Sequence, residues 1–160
     1  RKIPNISISI NLSLHDIERD EITSYIETLL YQYQSEAHRI IFELLESEDI
    51  KDFFLIKQFI KKVKAQGVKI AIDDFGTGYS NFERLLSYEP DILKIDGSLI
   101  KNIQHNLVNQ HIVETMVLFA KKQNLTTVAE FVENETIYEI VRAMGIDYSQ
   151  GYYFGRPELF

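Results

Sequence analysis

Residues 68–75 read VKIAIDDF, and the turn Gly76-Thr77-Gly78 follows them directly. Before the two acids, this run is apolar at Val68, Ile70, Ala71 and Ile72. Such a short run rich in branched apolar residues is typical of a strand in a packed sheet. Asp73 and Asp74 end the strand, where two adjacent acids have no packing role because burying an unpaired charge is costly. The segment therefore predicts an apolar strand with a chemically active C-terminal end.

The same arrangement recurs along the whole chain. Short β-rich runs alternate with amphipathic helices, which indicates βαβ units and a parallel sheet. The predicted strands are Ile6–Leu12, Arg39–Leu45, Val68–Asp73, Asp91–Asp96, Leu125–Glu130 and Tyr148–Phe154. Periodicity alone does not separate a closed barrel from an open, doubly wound sheet.

The residue pattern predicts how the connections after the first and third strands fold. Apolar residues at helical spacing predict one buried stripe on the first helix: Ile22, Tyr25, Ile26, Leu29 and Leu30. Ser13, with Asp16 three residues later, is the predicted cap of that helix. The glycine-rich turn after Asp74 leads into a short helix over residues 80–87.

Nearly every predicted strand carries a polar or charged side chain towards its C-terminal end. They are Asn11, Glu43, Asp73, Asp74, Lys94, Glu130 and Gln150. In barrels and in open α/β sheets alike, the C-terminal ends of the strands form the binding cavity. A single one of these residues also fits a loop hydrogen bond or a solvated position, so the prediction depends on their joint recurrence.

The acids among these residues predict a site for a hard divalent cation, which prefers oxygen ligands. The chain has no cysteine, so thiolate ligands and disulfides are excluded. Lys94 lies among the carboxylates and is expected to stay protonated and to act electrostatically. The net charge of −7 argues against broad binding to DNA or RNA duplexes. No composition break divides residues 1–160, so one domain is expected.

At residues 71–80, AIDDFGTGYS closely resembles the signature of the EAL-domain family of bacterial cyclic di-GMP phosphodiesterases. Further motifs follow in the family's order. They are INLS at 10–13, FELLES at 42–47, LKID at 93–96, AEFVE at 129–133 and QGYYFGRP at 150–157. The resemblance implies a TIM-like (β/α) barrel of class α/β and metal-dependent hydrolysis of cyclic di-GMP to linear pGpG.

The roles of individual residues are implied only by the resemblance to this family. The implied metal ligands are Asn11, Glu43, Asp73, Asp74 and Glu130, and the implied catalytic residues are Lys94, Glu130 and Gln150. Substrate binding or loop support is implied for Glu46, Gly76, Thr77, Gly78, Glu133, Gln150 and Pro157. One or two Mg²⁺ or Mn²⁺ ions are expected per site, with Ca²⁺ as an inhibitor.

The resemblance also implies partners. Cyclic di-GMP is the expected ligand, and a homodimer coupled to the loop at residues 75–81 is the expected assembly. The parent protein is expected to carry sensory or GGDEF-type domains. This domain is expected in the cytoplasm, and a membrane anchor in another part of the parent protein is compatible with that location.

The sequence departs from the family in two places. No Glu-Ala-Leu strand occurs in the 160 residues, so we expect about six of eight barrel strands, an N-terminally incomplete domain and weak or absent activity. Phe131 stands where glycine is common, and it adds bulk without replacing a ligand. The alternatives are a non-catalytic cyclic di-GMP-binding or dimerisation module and an unrelated barrel enzyme for sugar phosphates.

Overall fold

A computed structural model describes residues 6–45, 52–76 and 82–158. Strands and helices alternate along these residues, as the sequence predicts. The strands are β1 (Ile8–Asn11), β2 (Ile40–Leu45), β3 (Lys69–Phe75), β4 (Ile92–Ile95), β5 (Thr126–Ala129) and β6 (Tyr148–Ser149). The helices are α1 (Leu14–Ile17), α2 (Asp20–Gln32), α3 (Phe53–Ala65), α4 (Phe82–Ser87), α5 (Gly97–Ile100), α6 (Leu107–Lys122) and α7 (Glu135–Ala143), with 3₁₀ turns at Ala37–Arg39 and Ile103–His105.

The order of the strands resolves the choice between barrel and open sheet. All six belong to one sheet in the order β1-β2-β3-β4-β5-β6, and β1–β2, β4–β5 and β5–β6 pair in parallel. A doubly wound sheet reverses its strand order at a switch point, whereas a β/α barrel adds each strand beside the preceding one. The strictly sequential order therefore selects the barrel type.

The chain divides into two compact units, Arg1–Ile72 with Asn81–Pro90 and Asp73–Ser80 with Asp91–Phe160. In the first unit, the core forms where α1 and α3 bury their apolar faces; Leu14, Ile56 and Val63 are at most 1% exposed. Phe42 of β2 stacks on Phe59 of α3 with ring centroids 6.2 Å apart. Helix α3 begins at Asp52, whose carboxylate accepts hydrogen bonds from two amides of the first turn.

Two predictions for the first unit are wrong. Ser13 caps the separate one-turn helix α1, where its hydroxyl accepts a hydrogen bond from the His15 amide, and α2 has no side-chain cap. The predicted stripe on α2 is not fully buried, because only Leu30 is buried while Tyr25 is 65% exposed. Part of the stripe borders a cavity of about 380 Å³, lined among others by Leu29, instead of packing into the core.

The second unit has its own core between the sheet and helices α6 and α7. Leu93, Ile95, Val113 and Val141 are fully buried there. The last predicted strand, Tyr148–Phe154, is wrong in extent, since β6 ends at Ser149 and a turn follows. Gly151 starts this turn with a φ of +155°, and a Cβ built on it would lie within 2.8 Å of Val132 backbone atoms, a close approach that suits glycine and often accompanies the interruption of a strand. Within the described residues, no helix is both long and apolar enough to cross a membrane.

Candidate metal centre

Asp73 and Asp74 point to the same side at the end of β3. Neighbours on a regular strand point to opposite faces, so a shared site requires a local change of backbone. Asp74 supplies it with a φ of +54°, in the left-handed region, and its amide donates a hydrogen bond to Asp73 Oδ1 at 3.1 Å. Carboxylate oxygens of Asp73, Asp74 and Glu130 consequently lie within 4.8 Å of one another.

Lys94 of β4 forms salt bridges with two of these carboxylates. Its ammonium lies 2.7 Å from Asp73 Oδ1 and 2.9 Å from Glu130 Oε1. All three side chains are buried or nearly so, with exposures of 7%, 16% and 10%. Charge-assisted hydrogen bonds at these distances are strong in a desolvated setting, so Lys94 stabilises an arrangement of acids that would otherwise repel one another.

Burial and mutual repulsion still disfavour the charged forms of Asp74 and Glu130. Burial raises the pKa of Glu130, and the charges of Asp73 and Asp74 add to this effect, while the hydrogen bond and charge of Lys94 oppose it. Burial likewise raises the pKa of Asp74, helped by the charges of Asp73 and Asp96. A cluster with more negative charge than its one lysine balances, built from hard oxygen donors, fits a divalent cation.

Asp96 joins this cluster although the sequence analysis does not select it. It caps α5, accepting a hydrogen bond from the Ser98 amide at 2.7 Å, and it shares a side-chain hydrogen bond with Asp74. Burial acts to raise its pKa, but the hydrogen bonds from Ser98, Gly97 and Asp74 outweigh burial and lower it. The sequence did contain a pattern that points to Asp96. This acid lies two residues after Lys94 and directly before Gly97-Ser98, where a helix starts.

A pocket of about 210 Å³ adjoins Glu130. Phe131, Glu133, Gln150, Gly151 and Tyr152 complete its lining. The backbone of Gln150 fixes this wall: its amide donates to the Ala129 carbonyl at 2.8 Å, and its carbonyl accepts from the Val132 amide at 3.0 Å. The residues Glu130, Glu133 and Gln150 therefore border one pocket.

Asn11 and Glu43 belong to the first unit. They are register partners at the ends of β1 and β2, and the Leu12 amide donates to the Glu43 carbonyl at 2.9 Å. Asn11 is exposed and Glu43 is partly exposed. Their convergence with Asp73 and Glu130 on one ion stays a prediction.

Of the remaining predicted residues, Gly76 and Pro157 lie within the described part of the chain. Gly76 has a φ of +107° and lies against Leu99 and Met116, where an added Cβ would come within 2.8 Å of the Met116 methyl group. Pro157 is exposed in the C-terminal segment. Glu46, Thr77 and Gly78 lie outside the described residues.

Comparison with known proteins places this geometry in a family. The family model "EAL domain" matches residues 1–157. Cyclic di-GMP phosphodiesterase PdeF of Escherichia coli K12 is 40% identical over 157 residues, which are 98% of this chain and 21% of PdeF. The chain spans about a fifth of the length of the curated relatives it matches first.

Two solved structures show the same fold. The EAL domain of Mycobacterium smegmatis DcpA has a TM-score of 0.89 at 30% identity, covering 97% of this chain and 70% of that one. A manganese/cyclic di-GMP complex of Klebsiella pneumoniae BlrP1 at pH 9.0 has a TM-score of 0.84 at 30% identity, covering 94% and 39%.

The chain belongs to the EAL domain family. The predicted family and the predicted fold, a TIM-like (β/α) barrel with six strands, are both confirmed.

Proposed function

We propose that the chain is the larger part of a domain that hydrolyses cyclic di-GMP to linear pGpG with a divalent cation. The observation that carries this proposal is the convergence of three carboxylates within 4.8 Å beside a buried lysine. The names of the relatives and the manganese/cyclic di-GMP complex of BlrP1 support the choice of substrate. Residues 1–160 are proposed to belong to a single EAL-type domain that is incomplete at its N-terminal side.

The donor set fits Mg²⁺ or Mn²⁺, both of which favour carboxylate oxygens. Asp73, Asp74 and Glu130 are the proposed metal ligands of the second unit. Asn11 and Glu43, at the ends of β1 and β2, are proposed as further metal ligands. When bound, a divalent cation lowers the pKa of water and neutralises phosphate charge. Calcium, which accepts longer and looser coordination, is proposed to occupy the same donors without supporting turnover.

The chain's own residues supply orientation and charge. Lys94 holds the Asp73 and Glu130 carboxylates in fixed directions, which prepares the donor set before the substrate arrives. Its ammonium is also proposed to offset negative charge that develops on the reacting phosphodiester. Gln150, on the wall of the adjoining pocket, is proposed to position the attacking water or the substrate.

The test joins binding to turnover. The purified 160-residue chain is titrated with Mn²⁺ by calorimetry, and pGpG is then followed by chromatography after cyclic di-GMP is added. We expect Mn²⁺ binding with little turnover, because no Glu-Ala-Leu strand is present in these residues, and measurable pGpG from a fusion that supplies that strand before Arg1. Asp73→Asn should abolish binding, whereas Asp20→Asn, on the exposed first turn of α2, should not.

Other outcomes assign other functions. Tight cyclic di-GMP binding by the fusion without pGpG would replace the enzyme with a sensor. Absence of Mn²⁺ binding in the wild-type chain would overturn the metal site itself. We further propose a homodimer within a longer signalling protein, which sedimentation of the fusion tests; a monomer at micromolar concentration would contradict it.

A further inference from the structure

Phe131, at the end of β5, has a strained backbone. Its φ is +53°, in the left-handed region that glycine adopts freely and that bulky residues rarely adopt. The residue as a whole is 47% exposed, so burial in the core does not offset the strain. A residue of this kind persists when its surroundings hold it in place, and such residues concentrate at functional sites.

Gly97 provides the surface that holds the ring. A Cβ built on Gly97 would lie 2.6 Å from Cγ and 2.9 Å from Cβ of Phe131. Rotation about χ1 moves Cγ but leaves the Cβ where it is, so no side chain fits at position 97 while Phe131 is present. The φ of Gly97 is not positive, so its backbone does not require glycine. Contact with Phe131 is what excludes a side chain there.

Lys101 holds the ring from a second direction. Its ammonium lies 4.1 Å from the centroid of the Phe131 ring, within the range of a cation–π interaction. Gly97 begins α5 and Lys101 is the C-terminal cap of the same helix. The Phe131 ring is therefore attached to α5 at both ends of that helix.

Both attachment points adjoin acids of the metal centre. Phe131 directly follows Glu130, and Gly97 directly follows Asp96. We propose that Phe131 is a positioning residue: seated on Gly97 and beneath Lys101, it fixes Glu130 against Lys94 and thereby sets the donor geometry of the site. Its catalytic meaning rests on the proposed function, whereas its effect on the position of Glu130 does not.

Gly97→Ala tests the proposal from the opposite side of the contact. Alanine favours helix over glycine, so the backbone alone predicts a neutral or stabilising change. The Phe131 contact predicts the reverse, because the new methyl group displaces the ring and with it Glu130. Loss of residues that orient metal ligands weakens metal binding about 10- to 100-fold, and we expect the Kd for Mn²⁺ to rise by about tenfold.

A double variant separates this effect from general damage. On a Phe131→Gly background there is no ring to displace, so adding Gly97→Ala should leave the Mn²⁺ affinity unchanged. Gly155→Ala is the matched control, since nothing lies within 4 Å of a Cβ at that position. The proposal is overturned if Gly97→Ala retains wild-type Mn²⁺ affinity, or weakens it equally in both backgrounds.

A metal-free measurement keeps this proposal distinguishable from the proposed function. Crystal structures of the wild-type chain and of Gly97→Ala should differ in the 2.9 Å contact between Lys94 and Glu130, which we expect the variant to lose. If the wild-type chain binds no Mn²⁺, the proposed function fails and this contact alone decides the role of Phe131. A lower melting temperature with the contact intact would give Phe131 a purely structural role and refute positioning.

Discussion

Replacing Lys94 with methionine removes the only buried cation among the described residues while nearly preserving side-chain shape. The variant leaves the Asp73 and Glu130 carboxylates facing each other without the ammonium that lies 2.7 and 2.9 Å from them. Each charge-assisted hydrogen bond contributes about 1.5–3 kcal/mol, and breaking a buried ion pair from one side costs about 3–5 kcal/mol.

Partial exposure of the two acids places the expected loss at the lower end, about 3 kcal/mol of unfolding free energy at pH 7. For a chain of this length, that loss lowers the melting temperature by about 6–12 °C. Urea denaturation of the EDTA-treated chain, followed by circular dichroism, measures the difference. Lys122→Met, an exposed lysine on α6, is the matched control and should change little.

The pH dependence gives the sharper test. Without Lys94, the pKa of Glu130 rises further, because the hydrogen bond and charge that lower it are gone. A carboxyl group whose folded pKa lies above its unfolded pKa loses stability as pH rises through that interval. The deficit should therefore be full above the folded pKa and should shrink towards about pH 4, near the unfolded pKa of glutamate. A variant as stable as the wild type at pH 7, or a deficit unchanged at about pH 4, would refute this account.

Three further predictions concern the frame around the site, each measured by urea denaturation. Asp147→Ala should cost about 2–3 kcal/mol, because its carboxylate accepts hydrogen bonds from the amide and hydroxyl of buried Thr127 at 2.8 and 2.7 Å; a loss below 0.5 kcal/mol, in the range of ordinary surface substitutions, would contradict it. Asn134→Ala should cost about 1 kcal/mol by removing the N-cap of α7, and Asn134→Ser should restore most of it. Gly151→Ala should cost about 2 kcal/mol or more, because a Cβ would overlap the Val132 backbone at a positive φ; an unchanged midpoint would show that the turn relaxes freely.

The sequence by itself determined the alternation of strands and helices, and it identified most of the acids of the site. Strand and helix periods of two and 3.6 residues are local properties, so the alternation of elements and their approximate bounds follow from the residue pattern alone. Asp73, Asp74, Lys94 and Glu130 were identifiable because charge at the end of an apolar strand conflicts with burial, and that conflict is visible in the sequence.

The tertiary structure decided how those residues meet. The positive φ of Asp74 turns two adjacent acids to one side, and no local sequence pattern at that position predicts this backbone conformation. The pairing of Lys94 with both Asp73 and Glu130 required three strands to lie side by side. Phe131 shows the same limit, because its side chain lies against Gly97, 34 positions earlier, and a contact between distant residues exists only once the chain has folded.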